Sequence, residues 1–219
     1  MSATYDVWGP VESGLFEAYY EAGQGYTMSG GGVQYWDDLT GHGHTFGFQI
    51  LPTPIASDAA YDGRPTLDMS PNCYGFSTGW AGFSNPVTIF VAGECHGSSG
   101  GFISLASYAD GLLYALSSST VSLYTSGLQI TDTGLDANPT CLIGVLNGAS
   151  SRLYVKTRTA VTGTTKAITS SNGIWLGKWG TSPLNGKIAC AGIALSQSTT
   201  MDNLIIRWMA HRYKLILRA

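Results

Sequence analysis

The residues best equipped for chemistry are Asp37, Asp38, His42 and His44, which fall within eight positions of the glycine-containing segment WDDLTGHGH. Carboxylates with backbone carbonyls suit calcium, and imidazoles suit zinc or nickel, so a divalent cation is one use for this loop. The other use is conformational. Asp and Gly set turn geometry, and Trp36 with Leu39 would pin the segment to a core. Apart from such a cation, calcium foremost, no cofactor is expected.

Glycan cleavage needs a pair of carboxylates on the same side of a strand, about 5–5.5 Å apart for a retaining mechanism. The four glutamates are Glu12, Glu17, Glu21 and Glu94, and no acid lies two positions from Glu94. Asp37 and Asp38 are adjacent and would face opposite ways in a strand. Gly97-Ser98-Ser99-Gly100-Gly101 matches the G-x-S-x-G form of a hydrolase elbow, but a strand beginning at Phe102 replaces the helix such an elbow requires, so a hairpin loop is expected instead. Gly30-Gly31-Gly32 lacks the Lys-Ser/Thr of a phosphate loop. The chain is expected not to be an enzyme.

Aromatic faces are a third resource. Trp8, Trp80, Trp175 and Trp179, with Tyr26, Tyr35 and Tyr61, could form a platform for a glycan or a protein partner. Trp175 and Trp179 flank Gly177 and Gly180 near a strand end, which favours exposure of at least one of them. Core packing or a subunit contact is the competing and preferred use.

Only 11% of the 219 residues are charged, against a usual figure of about 25%, so uncharged polar residues or partner surfaces must cover much of the molecule. The net charge of −3 hides a polarity. Residues 1–138 hold 13 carboxylates and one base, Arg64, whereas residues 139–219 hold ten bases and one acid, Asp202. The bases are scattered singly, which disfavours nucleic acid and leaves complementary charge within or between subunits. No run approaches the roughly 20 apolar residues of a membrane helix, so no membrane anchor is expected. The first eleven residues lack a signal-peptide pattern, which points to folding in a cytoplasm. Cys73, Cys95, Cys141 and Cys190 show no C-x-x-C spacing and are expected to be small buried hydrophobes, although their even number also permits disulfides.

The elements that must position these groups are strands. Between Thr45 and Leu195 short apolar runs alternate with Gly, Ser, Asn, Asp and Pro, most clearly from Val87 to Val155. Alternation of Phe102, Ser104 and Ala106 against Ile103, Leu105 and Ser107 predicts strands with one buried face. Tight turns between neighbours predict antiparallel pairing. One helix is expected over 199–215, opened by a Thr199–Asp202 capping box and carrying Met201, Leu204, Ile205, Trp208, Met209 and Leu215 at helical spacing. So many short strands in one domain must lose their edges by stacking two sheets, giving an all-β antiparallel sandwich with one C-terminal helix.

The order of several segments resembles the concanavalin A-like lectin/glucanase superfamily, in particular laminin G-like jelly-roll domains of phage and bacterial surface proteins. The carrying residues are VQYWDDLTGHGH (33–44), DGRPTLD (62–68), SRLYV (151–155, with Lys156 where the family has Asn), NGKIA (185–189) and the terminal helix from Thr199 to Lys214. The resemblance implies a two-sheet jelly roll over 15–219 preceded by an arm over 1–14. The superfamily hosts glycan binding, glycan cleavage, adhesion and pure structure, so function is argued from the sites, which place two non-enzymatic roles ahead of a secreted hydrolase. The first is a structural or decoration protein of a phage particle, assembled in the host cytoplasm as a homo-oligomer or lattice against capsid or tail proteins. The second is a carbohydrate-binding adhesion module on a phage head or tail, holding host-surface glycan. The absence of a carboxylate pair and of a signal favours the first as the expectation from sequence.

Overall fold

The computed structural model describes residues 14–70, 72–78, 80, 84–97, 99–105, 111–156, 159–168, 173–180, 182–195 and 198–215. The arm expected over 1–14, Gly14 apart, and with it Trp8, lies outside the described residues. In chain order the strands are β1 (Ala18–Glu21), β2 (Tyr26–Ser29), β3 (Gly32–Trp36), β4 (Phe46–Ile50), β5 (Thr53–Asp58), β6 (Arg64–Asp68), β7 (Tyr74–Thr78) and β8 (Val87–Cys95). They continue with β9 (Gly100–Leu105), β10 (Leu112–Ser117), β11 (Thr120–Thr125), β12 (Leu128–Asp132), β13 (Thr140–Leu146), β14 (Ser151–Val155) and β15 (Val161–Gly163). The last are β16 (Gly173–Leu176), β17 (Lys178–Trp179), β18 (Ser182–Pro183) and β19 (Gly186–Ala194), followed by helix α1 (Thr199–Arg212).

Two antiparallel sheets form a jelly-roll sandwich. One, sheet A, runs β15-β14-β13-β8-β19-β6-β5, with β1 also pairing β19; the other, sheet B, runs β12-β11-β10-β9-β16-β7-β4-β3-β2. β17 and β18 make a separate hairpin. The strand β19 is central: β8 lines one edge, while β6 and β1 share the other, β6 near its start and β1 near its end.

Alternation along single strands builds two cores. In β8, Val87, Ile89 and Val91 point between the sheets, toward Ile103, Leu113, Leu123 and Ile174, while Phe90 and Ala92 point out toward α1. In the same way β13 sends Leu142 and Leu146 inward and Cys141, Ile143 and Val145 outward. Because β8 is covered on both faces, all nine of its residues are buried. The segment after β8 does not turn a hairpin as expected. β9 pairs with β10 and β16 in the opposite sheet, so Gly97–Gly101 carries the chain from one layer to the other.

Helix α1 roofs sheet A with Ile205, Ile206, Met209, Ala210 and Tyr213. Two expectations for it are corrected. The cap is Ser198, whose side chain accepts from Met201 N (3.0 Å), so Asp202 lies one residue too late for the reciprocal bond of a capping box. Asp202 instead points inward, fully buried, and accepts from Arg152 Nη2 (2.8 Å), Arg152 Nε (3.1 Å) and the Tyr154 hydroxyl (3.2 Å). Leu204, expected on the apolar face, is 53% exposed, because the buried stripe follows 202, 205, 206, 209, 210 and 213.

The four cysteines are buried and free. Cys141 and Cys190 both lie opposite Ala92, on either side of β8, hence two strand spacings or about 9.6 Å apart, beyond disulfide reach. Burial pushes the Cys190 thiol up to about 12.

The charge polarity of the sequence is met in part by ion pairs within the fold. Arg212 pairs with Glu21, Lys214 with Asp62, Lys156 with Asp136, and Lys187 with both Asp58 and Glu94. Each joins a base of the last part to an acid of the first. The fold brings them together because β19 and α1 pack directly on β1, β6 and β8.

Candidate functional site

The loop that carried the metal expectation is tied to β1. Asp38 accepts from Tyr19 N (2.9 Å), Thr40 N (2.9 Å), Thr40 Oγ1 (2.5 Å) and His42 N (3.2 Å). Asp37 accepts from Thr45 Oγ1 (2.9 Å). His42 Nδ1 meets the Glu17 carbonyl at 2.9 Å, and His44 Nε2 meets Glu17 Oε1 at 3.1 Å. Asp37, Asp38, His42 and His44 therefore do not converge. Among the described residues no group of three or more His, Cys, Asp or Glu side chains gathers around one point. The conformational use of the loop has taken its polar groups.

Three of the proposed platform aromatics face inward. Trp80 is buried, stacked on His44 (centroids 3.7 Å, 7° between planes), with its indole N–H donating to Ser77 Oγ (3.2 Å). Tyr61 is fully buried in the layer under α1, near Tyr213. Tyr26 packs edge-on against the core Trp36 (5.8 Å), and its burial pushes the phenol well up. Large apolar rings at inward strand positions gain more from the core than from a ligand, which corrects their assignment to a platform. Trp8 lies outside the described residues, and of Trp179 only its place in β17 is described.

Tyr35 and Trp175 are different. The register places Thr27, Tyr35, Gly47, Phe76 and Trp175 side by side across β2, β3, β4, β7 and β16. Directly opposed residues share a face. Here it is the outer face of sheet B, since their neighbours Trp36, Phe46, Phe48, Ile174 and Leu176 fill the core. The row continues into Ser104 and Leu112, which are buried, so the open part is β2 to β16.

Glycine shapes this shelf. A Cβ on Gly47 would stand 3.5 Å from Tyr35 Cε1, and one on Gly173 would stand 2.7 Å from Phe76 Cζ, so both rings lie across bare backbone of a neighbouring strand. Tyr35 is 44% exposed, and Tyr74, Phe76 and Trp175 are half-buried. Phe76 and Trp175 are 4.4 Å apart at 30°, and Tyr74 and Trp175 are 5.8 Å apart. The Tyr74 hydroxyl donates to Gln49 Oε1 (2.6 Å), which leaves the Gln49 amide nitrogen at an exposed position. From Tyr35 to Trp175 is three strand spacings, about 14 Å. Such a shelf offers π-faces for C–H groups and amide donors for hydroxyls, over a length greater than one sugar ring.

Asp58 and Glu94 form the carboxylate pair that sequence spacing did not reveal. Lys187 Nζ lies between them, 2.8 Å from Asp58 Oδ2 and 3.2 Å from Glu94 Oε1, and His96 Nε2 is 3.0 Å from Glu94. Burial works against the Asp58 anion, but Lys187, Ala60 N–H and the Thr66 hydroxyl outweigh it and hold the carboxyl below its usual range. A glycosidase acid needs the opposite shift.

No protein-family model matches the chain, and no curated protein matches its sequence. Solved structures do match in three dimensions. A structure of botulinum neurotoxin type C, whose cell entry is described as dependent on two ganglioside molecules, aligns with a TM-score of 0.64 at 9% identity, covering 90% of this chain and 53% of that one. The binding domain of botulinum neurotoxin DC, in complex with rat synaptotagmin II, aligns at 0.64 and 10% identity, covering 89% and 52%. A GH54 α-L-arabinofuranosidase aligns at 0.61 and 12% identity, covering 84% and 51%. The fold is that of a lectin-like β-sandwich. This sandwich spans about half the length of those structures, and at such identities they speak for architecture alone.

Proposed function

We propose that the protein is a non-enzymatic carbohydrate-binding module that holds an oligosaccharide along the outer face of β3, β4, β7 and β16. The carrying observation is the aligned aromatic shelf of Tyr35, Tyr74, Phe76 and Trp175, bordered by the Gln49 amide. Rings left half-open on a sheet face lose burial energy that core positions would gain, and stacking on sugar offsets that loss. Structural neighbours described with gangliosides and as an arabinofuranosidase support a sandwich suited to saccharides. Binding without cleavage is supported by the Asp58–Lys187–Glu94 arrangement, in which an ammonium separates the two carboxylates.

The resemblance to phage jelly-roll domains supports placing this module on a particle surface, where it would hold host glycan. A decoration role through subunit contacts loses part of one support, because four bases of the basic part pair within the fold with five acids of the acidic part. The test is a glycan array read against Trp175→Ala. Wild type is expected to bind at least one saccharide class, with affinity falling about tenfold or more in the variant. No binding to any sugar at millimolar concentration would sink the proposal.

A further inference from the structure

The shelf carries one charge. Lys178 Nζ sits 3.9 Å from the centroid of the Tyr74 ring and 5.6 Å from that of Trp175. A lysine that merely covers apolar surface lays its methylenes on the rings and sends its nitrogen into water. Here the nitrogen itself lies over the ring. None of the ion pairs among the described residues involves Lys178, and none of the described residues of the shelf, Thr27, Tyr35, Gly47, Gln49, Tyr74, Phe76, Gly173 and Trp175, is an acid. Arg152, Lys156, Lys187, Arg212 and Lys214 each have a carboxylate; Lys178, like Arg64, Lys166 and Arg207, has none among the described residues, and of these four it is the one placed over the Tyr74 and Trp175 rings.

The backbone holds it there. Gly177 adopts φ +78°, and a Cβ on it would collide with Met69 Cε and the Cys73 carbonyl, so the chain leaves β16 by a turn closed to other residues. Gly177 N donates to Phe102 O (3.0 Å), tying the start of the β17–β18 hairpin to sheet B, and Leu184 N donates to Gly177 O (2.8 Å), joining the hairpin's two ends to each other. Lys178 is the first residue after that turn.

We infer that the shelf selects acidic saccharides, with Lys178 Nζ, seated over Tyr74, donating to a negatively charged sugar substituent while Trp175 stacks on the ring that bears it. This rests on the carbohydrate-binding reading and adds the ligand's charge to it. A carboxylate and a sulfate ester share the chemistry an ammonium recognises, since lysine acts as a point charge.

The experiment measures affinities by titration calorimetry for matched pairs: oligomers of galacturonic and glucuronic acid against their methyl esters, and a sulfated galactose oligomer against the unsulfated one. Wild type is expected to prefer the charged member of at least one pair about tenfold, as for a charge-assisted hydrogen bond. The pair that shows it tells carboxylate from sulfate. Lys178→Met is expected to bring the ratio near one, and Lys178→Arg to keep it. Equal binding of charged and neutral members, or a preference that survives in Lys178→Met, overturns the inference. If neutral sugars bind and Trp175→Ala weakens them, the shelf stands without its charge selectivity; if no sugar binds, both readings fall.

Discussion

The outer face of sheet A and the outer face of sheet B are made by the same alternation of strand residues, yet α1 roofs the first while the second is open from β2 to β16. Sheet A turns Phe90, Ala92, Cys141, Ile143, Val145, Ala189 and Cys190 outward, side chains with almost nothing to offer water, and α1 closes over them. Sheet B turns out Tyr35, Gln49, Tyr74, Phe76 and Trp175, and from β2 to β16 this face stays within reach of solvent. Small aliphatic residues on a sheet face demand a second layer. Rings with polar edges, resting on glycine, do not. The contrast assigns stability to one face and, on the proposed function, recognition to the other.

That division is open to direct attack. Met209→Ala under the roof of sheet A is expected to cost about 2–5 kcal/mol, read as a fall in urea midpoint, with no effect on sugar affinity. A loss of binding equal to that of Trp175→Ala would erase the distinction between the faces. Next in size is Asp58→Asn, which keeps an oxygen for Ala60 N–H but puts an amide nitrogen where Oδ2 accepts from Lys187 and Thr66, and is expected to cost about 1–3 kcal/mol at neutral pH. Because the folded carboxyl titrates below its unfolded value, its stabilisation is fully present above about pH 4 and is lost as pH falls through the folded value. Asp58→Asn should therefore flatten the acid limb of the stability profile, and an unchanged limb would show that other carboxylates control it. The smallest effect on stability is expected from Tyr35→Ser on the open face, less than about 0.5 kcal/mol. Its effect on sugar binding should be much larger than that, and the reverse ranking would make Tyr35 a packing residue.

Strand existence was legible because it rests on local signals, period-two alternation and turn residues such as Asn147-Gly148, and these survive in β8 to β14. The layer in which a strand lies was not, as β9 shows: every residue of Gly100–Leu105 is buried, so alternation alone does not say which partner it takes. The shelf was half legible. Tyr35 and Trp175 stood out by type, and Gly177 beside Trp175 hinted at exposure, but Phe76 and Tyr74 joined them only through cross-strand register between segments from about 25 to about 100 residues apart. Lys178 carried a usable signal, a cation directly after a Trp-x-Gly turn, that was hidden among ten scattered bases. The acidic histidine loop misled for the opposite reason. Its spacing is compatible with metal, but Thr40 and backbone N–H groups of β1 and the loop itself take the Asp38 carboxylate first.

The place of β19 in the middle of sheet A has a consequence for biosynthesis. A ribosome delivers β1, β5, β6 and β8 long before Gly186–Ala194, so the nascent chain holds two sets of strand edges with no strand between them. Over that interval its first 138 residues carry 13 acids against one base, and mutual repulsion keeps those edges from pairing with a neighbouring nascent chain. Five of the ten later bases precede β19 and five lie in it or beyond it, so the net charge falls from −7 over residues 1–185 to −3 over the whole chain as the last strand closes the sheet. Folding is thereby tied to completion of the sandwich, and a product cut short before β19 remains an open, strongly acidic chain.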